Sequence, residues 1–160
     1  MGNNSSMSAM GFALKLLGLR GHSCKELEVK LLKKGYSVES IGPVLEKLTL
    51  QGVLDDRMFG AALLQSRSRR KPSGKRKVGA ELRKKGVSES LIGELLKEYD
   101  SAELCYRAAE KKYGSLRGAT EACRQKKLEV FLYNRGFDWH DIRAVITQFF
   151  TPGRDDENPA

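Results

Sequence analysis

The 160-residue chain has little of what builds most catalytic and metal centres, holding only two histidines, three cysteines and one tryptophan. Cys24, Cys105 and Cys123 are an odd number in no metal-like spacing, which argues against a zinc module or a disulfide framework. Reduced thiols in a cytosolic protein fit that usage, each packed in a helix as a small apolar side chain. His22 and His140 have no Cys or His neighbour at ligand spacing, which leaves them surface or capping roles. No apolar run approaches the roughly 20 residues of a membrane-spanning helix. The segment from Phe12 to Leu19 is broken by Lys15 and followed by no small-residue cleavage site, so it does not read as a signal peptide. Acidic charge is also scarce, since 20 Asp and Glu stand against 29 Lys and Arg, a formal +9. Such a balance points to anionic partners: nucleic acid, an acidic protein groove or an anionic membrane surface.

What the chain does have is an internal repeat. Lys33-Lys34-Gly35-Tyr36-Ser37, Lys84-Lys85-Gly86-Val87-Ser88 and Asn134-Arg135-Gly136-Phe137-Asp138 superimpose on glycines 51 and 50 residues apart. Leu31, Leu82 and Leu132 stand four residues before these glycines, and Leu27, Val78 and Leu128 eight before. Beyond them, Ile41, Ile92 and Ile142 open apolar stripes at helical spacing: Val44, Leu45 and Leu48, then Leu95, Leu96 and Tyr99, then Val145, Ile146 and Phe149. Each copy therefore reads as helix, glycine turn and helix. Glycine suits the left-handed residue that ends a helix, and Ser37, Ser88 and Asp138 suit the N-caps that follow.

A further helix precedes each pair, over Phe12 to Leu19, from Asp55-Asp56 onward, and from Asp100 through Tyr113. Ser23-Cys24-Lys25-Glu26 reads as a capping box, and Asp55-Asp56 as an N-cap preceded by an acid. Pro43 lacks an amide hydrogen, so its helix is expected to begin late, near Gly42. No segment sustains the alternation of a strand. The fold class expected is all-α, with three tandem three-helix repeats at 9–52, 53–99 and 100–150 forming an elongated, curved molecule. Residues 1–8 read as a disordered start, where Met1, Gly2 and Ser6 also fit a short myristoylation pattern. Residues 151–160, with Asp155-Asp156-Glu157, read as an acidic tail.

Between Arg67 and Lys77 the sequence carries seven basic residues in eleven and no acid. Pro72, Ser73 and Gly74 interrupt it, so Arg67, Arg69, Arg70, Lys71, Lys75, Arg76 and Lys77 come from a helix end, a loop and the next helix start. Lys84 and Lys85 extend the patch, and these nine side chains are the candidate contacts for a partner or nucleic acid. Seven contacts to single-strand phosphates would give a salt slope of about −5. Tyr36, Phe137 and Trp139 are candidates for base stacking, although their place beside the repeat turns favours core packing.

No catalytic constellation assembles. Gly74-Lys75 lacks both the earlier glycine and the following Ser or Thr of a phosphate loop. The second helix of each glycine-turn pair opens with acids, as in Val38-Glu39-Ser40, Glu89-Ser90-Leu91 and Trp139-His140-Asp141, which disfavours base readout of the helix-turn-helix kind. Neither an enzyme nor a cofactor requirement is expected.

The same residues carry a family resemblance. Ala13-Leu14, Leu16-Leu17, Arg20, Ser23, Glu26-Leu27, Lys30-Leu31 and Gly35 resemble the opening of RecX, the bacterial regulator of the RecA recombinase. Gly52-Val53-Leu54-Asp55-Asp56-Arg57-Met58-Phe59, with Ser66-Arg67 after it, is similar to that family's most recognisable motif. Gly74, Glu81-Leu82-Arg83-Lys84-Lys85-Gly86-Val87, Lys112-Tyr113-Gly114, Phe131-Leu132 and Arg135-Gly136-Phe137 continue the likeness over residues 10 to 150. Pro43 and Lys75, the latter where many relatives carry proline, are departures. The resemblance implies a non-enzymatic modulator that binds RecA and lodges in the groove of the RecA–DNA filament, inhibiting strand exchange, ATP hydrolysis and coprotease activity, and a monomer is expected. Weak direct binding to single- or double-stranded DNA is compatible with it.

Overall fold

The computed structural model describes residues 6–150, and among these the chain forms nine α-helices and no strand. They are α1 (Ala9–Leu19), α2 (Cys24–Lys34), α3 (Val38–Leu50), α4 (Asp56–Arg70), α5 (Lys75–Lys84), α6 (Glu89–Lys97), α7 (Ser101–Tyr113), α8 (Glu121–Asn134) and α9 (Trp139–Phe149). Three helix–helix–glycine–helix units follow one another, as the spacing predicts. Gly35, Gly86 and Gly136 have φ of 104°, 83° and 87°, the left-handed region that a Cβ disfavours. The loop at Pro72–Gly74 separates α4 from α5 where the basic run is interrupted.

Two compact units share the chain. One comprises the residues up to Leu63 with Glu81–Leu95, the other Leu64–Ala80 with the residues from Leu96. Helices α4, α5 and α6 thus contribute residues to both. In the first unit Ala13, Leu27, Leu31 and Leu48 are buried between α1, α2 and α3. In the second, Cys105, Leu128, Leu132, Phe137 and Ile142 form the buried set, joined by Val78. Each such Leu, Ile or Phe contributes about 1.5–3 kcal/mol by leaving water.

A tertiary device occurs in both units. In the first, the α5–α6 turn lies on the N-terminal turn of α2. The N-capping Ser23 hydroxyl accepts from the Glu26 amide at 3.1 Å and donates to the Lys85 carbonyl at 2.5 Å. Gly86 faces Lys25 so closely that a Cβ would overlap it. In the second, the α8–α9 turn lies on the N-terminal turn of α5: the Gly74 amide donates to the Arg135 carbonyl at 2.8 Å and the Arg76 amide to the Gly136 carbonyl at 3.3 Å. A Cβ on Gly136 would overlap Lys77. Gly35, in the first repeat, has open space at that position.

Several local expectations are corrected. Helix α3 starts at Val38, not near Gly42, and Pro43 sits inside it. Ile41, Val44 and Leu48 anchor the helix, while Pro43 and Glu39, whose carbonyl loses its amide partner, lie on the exposed side where water serves instead. Ser8 caps α1 by accepting from the Gly11 amide, and the Met7 carbonyl accepts from the Tyr36 hydroxyl at 2.6 Å, so the N-terminal order begins before residue 9. Met1 and Gly2 of the myristoylation pattern and the acidic tail 151–160 lie outside the described residues.

Asp55, rather than Asp56, caps α4, accepting from the Arg57 and Met58 amides at 2.9 and 3.2 Å. Asp56 instead reaches the Cys24 amide at the start of α2, at 2.8 Å. Asp138 occupies the N-cap of α9 without a side-chain cap hydrogen bond. The reciprocal half of the Ser23 capping box is replaced by ion pairs of Glu26 with Arg20 at 3.0 Å and Lys85 at 2.5 Å. Cys123 is exposed rather than packed, whereas Cys105 is buried, and burial pushes its thiol up to about 12.

Candidate functional site

The loop after α4 brings cations from distant parts of the sequence into two adjoining hollows of the second unit. The smaller, about 230 Å³, is lined by Arg70, Lys71, Pro72, Ala108, Lys111, Lys112, Ser115, Phe131 and Arg135. The larger, about 660 Å³, is lined by Lys112, Ser115, Leu116, Arg117, Cys123, Lys126, Lys127, Val130 and Phe131. Lys112, Ser115 and Phe131 belong to both, so the hollows are continuous. Eight Lys and Arg line them and no carboxylate does. The floor is apolar: Leu116 is buried and Phe131 half-buried, and Lys112 and Arg135 stand 5.1 and 5.4 Å from the Phe131 ring centroid.

Arg135 is held as a structural cation. Its Nε and one Nη donate to the Pro72 carbonyl at 3.1 and 2.6 Å, fixing the basic loop onto α8, and burial draws its pKa below the usual guanidinium value. Tyr99 adds a second tie, its hydroxyl donating to the Ser73 carbonyl at 2.6 Å. The loop that carries the charge is therefore anchored at two successive carbonyls, and it presents Arg70 and Lys71 from a fixed backbone.

The nine basic residues singled out in sequence are dispersed among different environments. Arg70 and Lys71 enter the acid-free hollow, and Arg69 is exposed on the same helix end. Arg67 is half-buried and has a partner. Lys75 lines a different hollow, of about 510 Å³, together with Lys97, Glu98, Asp100, Asp138, His140 and Asp141. Arg76 lies over the Tyr133 ring, 4.0 Å from its centroid, and donates to the Tyr133 carbonyl. Lys77 is exposed with its backbone against Gly136. Lys84 is exposed at the end of α5, while Lys85 is committed to Glu26.

Lys111, Lys112, Arg117, Lys126 and Lys127 escaped the sequence reading because each is interspersed with acids or apolar residues. A signal exists in their spacing: Lys111 with Lys112 ends α7, and Lys126 with Lys127 lies on α8. Of the three aromatic stacking candidates, Phe137 is fully buried core and Tyr36 is half-buried against Phe12, but Trp139 is 48% exposed.

His22 is buried, contrary to the surface or capping role expected for it. Its Nδ1 is 2.9 Å from the Arg20 carbonyl and its Nε2 is 2.7 Å from Lys30 Nζ. An ammonium only donates, so Nε2 accepts and the proton sits on Nδ1, donating to Arg20. Burial, with Arg20 and Lys30 nearby, holds the imidazole below its ordinary pKa against the opposing pull of that backbone bond. No group of three or more His, Cys, Asp or Glu that would hold a metal is found among the described residues, and none of their helices is long and apolar enough to cross a membrane.

Comparison with known proteins assigns the whole chain. Models of the first, second and third three-helix domains of RecX match residues 9–48, 55–96 and 98–146. A regulatory protein RecX of Pelodictyon phaeoclathratiforme is 61% identical over 159 residues, covering 99% of each chain. One from Chlorobium limicola is 51% identical, also over 99% of each. A crystal structure of regulatory protein RecX superposes with a TM-score of 0.78 at 25% identity, over 86% of this chain and 70% of that one. RecX from Lactobacillus salivarius shares the fold at TM-score 0.78 and 21% identity, over 88% and 93% of the two chains. The chain therefore belongs to the RecX family, a family of regulatory proteins and not of enzymes.

Proposed function

We propose that this protein, acting as a monomer in the cytoplasm, binds RecA and the RecA–DNA filament and inhibits its recombinase, ATPase and coprotease activities during recombinational repair and the SOS response. The observation that carries the reading is the pair of continuous hollows lined by eight cations without a carboxylate. A surface of that kind attracts a nucleoprotein polymer over a distance of about a Debye length and then holds it through paired contacts. Inhibition follows if the protein prefers one filament state, because a ligand shifts an equilibrium by its difference in affinity between states.

The contact set is Arg67, Arg69, Arg70, Lys71, Lys75, Arg76, Lys77, Lys84 and Lys85, with Arg70 and Lys71 as its centre because they alone of the nine enter the acid-free hollows. Weak direct binding to DNA through exposed cations of the set belongs to the same reading. The test is titration of the protein into RecA-driven ATP hydrolysis on single-stranded DNA, with a DNA-only binding control. Dose-dependent loss of hydrolysis at protein concentrations too low to coat the DNA is the expected result. Unchanged hydrolysis at saturating protein rejects it.

A further inference from the structure

Trp139 is the single tryptophan of the chain, and the fold leaves it 48% exposed where the neighbouring Phe137 is completely buried. It opens α9 and stacks on Tyr133 of α8, ring centroids 5.4 Å apart and planes 25° from parallel. Tyr133 is itself 41% exposed. Arg76 lies over the same tyrosine ring, 4.0 Å from its centroid, held there by the hydrogen bond its guanidinium donates to the Tyr133 carbonyl and by the one its backbone amide donates to the Gly136 carbonyl. Two large rings and a guanidinium thus form one ordered surface, with exposed Lys77 beside it at the Gly136 turn.

We propose that this stack is a platform for an unpaired base of single-stranded nucleic acid. Flat aromatic faces beside fixed cations are what such strands need: the base covers a ring and the phosphates meet the charge, with little dependence on sequence. Duplex DNA hides its base faces, so it gains only the electrostatic part. The acids Asp138 and Asp141 next to Trp139 in sequence line the hollow shared with Lys75 and Lys97, which Trp139, Tyr133 and Arg76 do not line. They weaken a purely electrostatic grip on phosphate here and leave stacking as the dominant contact. The proposal rests on the nucleic-acid part of the function given above and locates it on residues outside the acid-free hollows.

The lone tryptophan is its own probe. The full-length protein is titrated with oligo(dT) and with a duplex of equal length, following tryptophan emission and the anisotropy of a labelled strand together. The expected result is quenching by the single strand that saturates with the anisotropy change, and no quenching by bound duplex. Trp139→Ala and Tyr133→Ala each weaken single-strand binding about tenfold with helicity unchanged, and Trp139→Phe retains most of it. Single-strand binding without quenching, or equal quenching by duplex, overturns the platform while leaving the filament reading intact. If RecA without DNA quenches Trp139 as strongly as the strand does, the surface is a protein contact and the proposal fails. Absence of any strand binding by anisotropy removes both the platform and the direct DNA contact, whereas retained inhibition of RecA hydrolysis by Trp139→Ala preserves the regulatory reading.

Discussion

Gly136 and Lys77 approach each other across the α8–α9 turn and the first turn of α5 so closely that no Cβ fits between them. Gly86 meets Lys25 in the same way, while Gly35 adopts the same backbone conformation with nothing opposite it. The three repeat glycines are equivalent in sequence and unequal in packing.

Gly35→Ala should therefore cost only the left-handed penalty, about 1–2 kcal/mol. Gly136→Ala and Gly86→Ala pay that and also separate the turn from the helix beneath it, so each should lower the urea midpoint clearly more than Gly35→Ala does. Equal midpoints for the three variants would show that the close approach carries no energy.

Removing the Ser23 hydroxyl strips α2 of its cap and leaves the Lys85 carbonyl without its donor. With Ser23 fully buried, Ser23→Ala should destabilise by about 1–3 kcal/mol. Ser37→Ala, an exposed cap with only local bonds, should cost less, about 1 kcal/mol. Denaturant melts of the two variants, compared with the parent, decide the order.

Pro43→Ala should stabilise the protein by about 1 kcal/mol or more, because it restores an amide for the Glu39 carbonyl on an exposed face of α3. A lower melting temperature for this variant would mean that proline's restriction of the unfolded chain outweighs the lost hydrogen bond.

Acid should loosen the first unit in two stages. His22 is held neutral in the fold, so its pKa is lower than in the unfolded chain, which then binds the extra proton first as pH falls below about 6.5. Its stabilising share is complete above that value and lost as pH drops through the folded pKa. For Glu26, burial alone would raise the pKa, but Lys85 and Arg20 together draw it below the usual value. Its share is complete above about 4.3 and declines at still lower pH. His22→Gln should flatten the dependence near pH 6 while leaving the steeper fall below pH 5, as read from unfolding free energies across that range.

Neutralising the exposed Arg70, Lys71, Lys111 and Lys126 to glutamine tests the acid-free hollows without touching Arg135 or Lys85, which hold the fold together. The variant should keep its helicity, lose inhibition of RecA-driven hydrolysis, and flatten the salt dependence of any residual single-strand binding by up to about 3 in slope. Unaltered inhibition at matched salt would place the contact elsewhere.

Periodicity made the helices legible. Leu31, Leu82 and Leu132, read from their distance to a glycine, are all fully buried, and so is the Ile142 predicted to open the third stripe. The turns were equally legible, because few residues other than glycine tolerate the observed φ. Spacing reports which face is buried, however, and not what it is buried against. Nothing local announces that Asp56 reaches Cys24 or that Arg135 reaches Pro72, 32 and 63 residues away. The same reason hides most of the candidate surface. Arg70 and Lys71 stood out as a run, whereas Lys111, Lys112, Arg117, Lys126 and Lys127 become a surface only when α7 and α8 fold beside the loop. Pro43 is a poor guide to where α3 starts because proline's cost inside a helix is smallest on a face that meets water, and Pro43 is exposed.

Because the first compact unit takes up Glu81–Leu95 and the second takes up Leu64–Ala80, the boundaries of the sequence repeats are not places where the molecule can be divided. The backbone passes from one unit into the other at Leu64, returns at Glu81 and leaves again at Leu96. A fragment ending at residue 63 would lack the Glu81–Leu95 part of the first unit, and one beginning at residue 100 would lack the Leu64–Ala80 part of the second. Gene fusions, truncations and expression fragments of this protein should follow these crossings and not the three separable copies that the amino-acid pattern advertises.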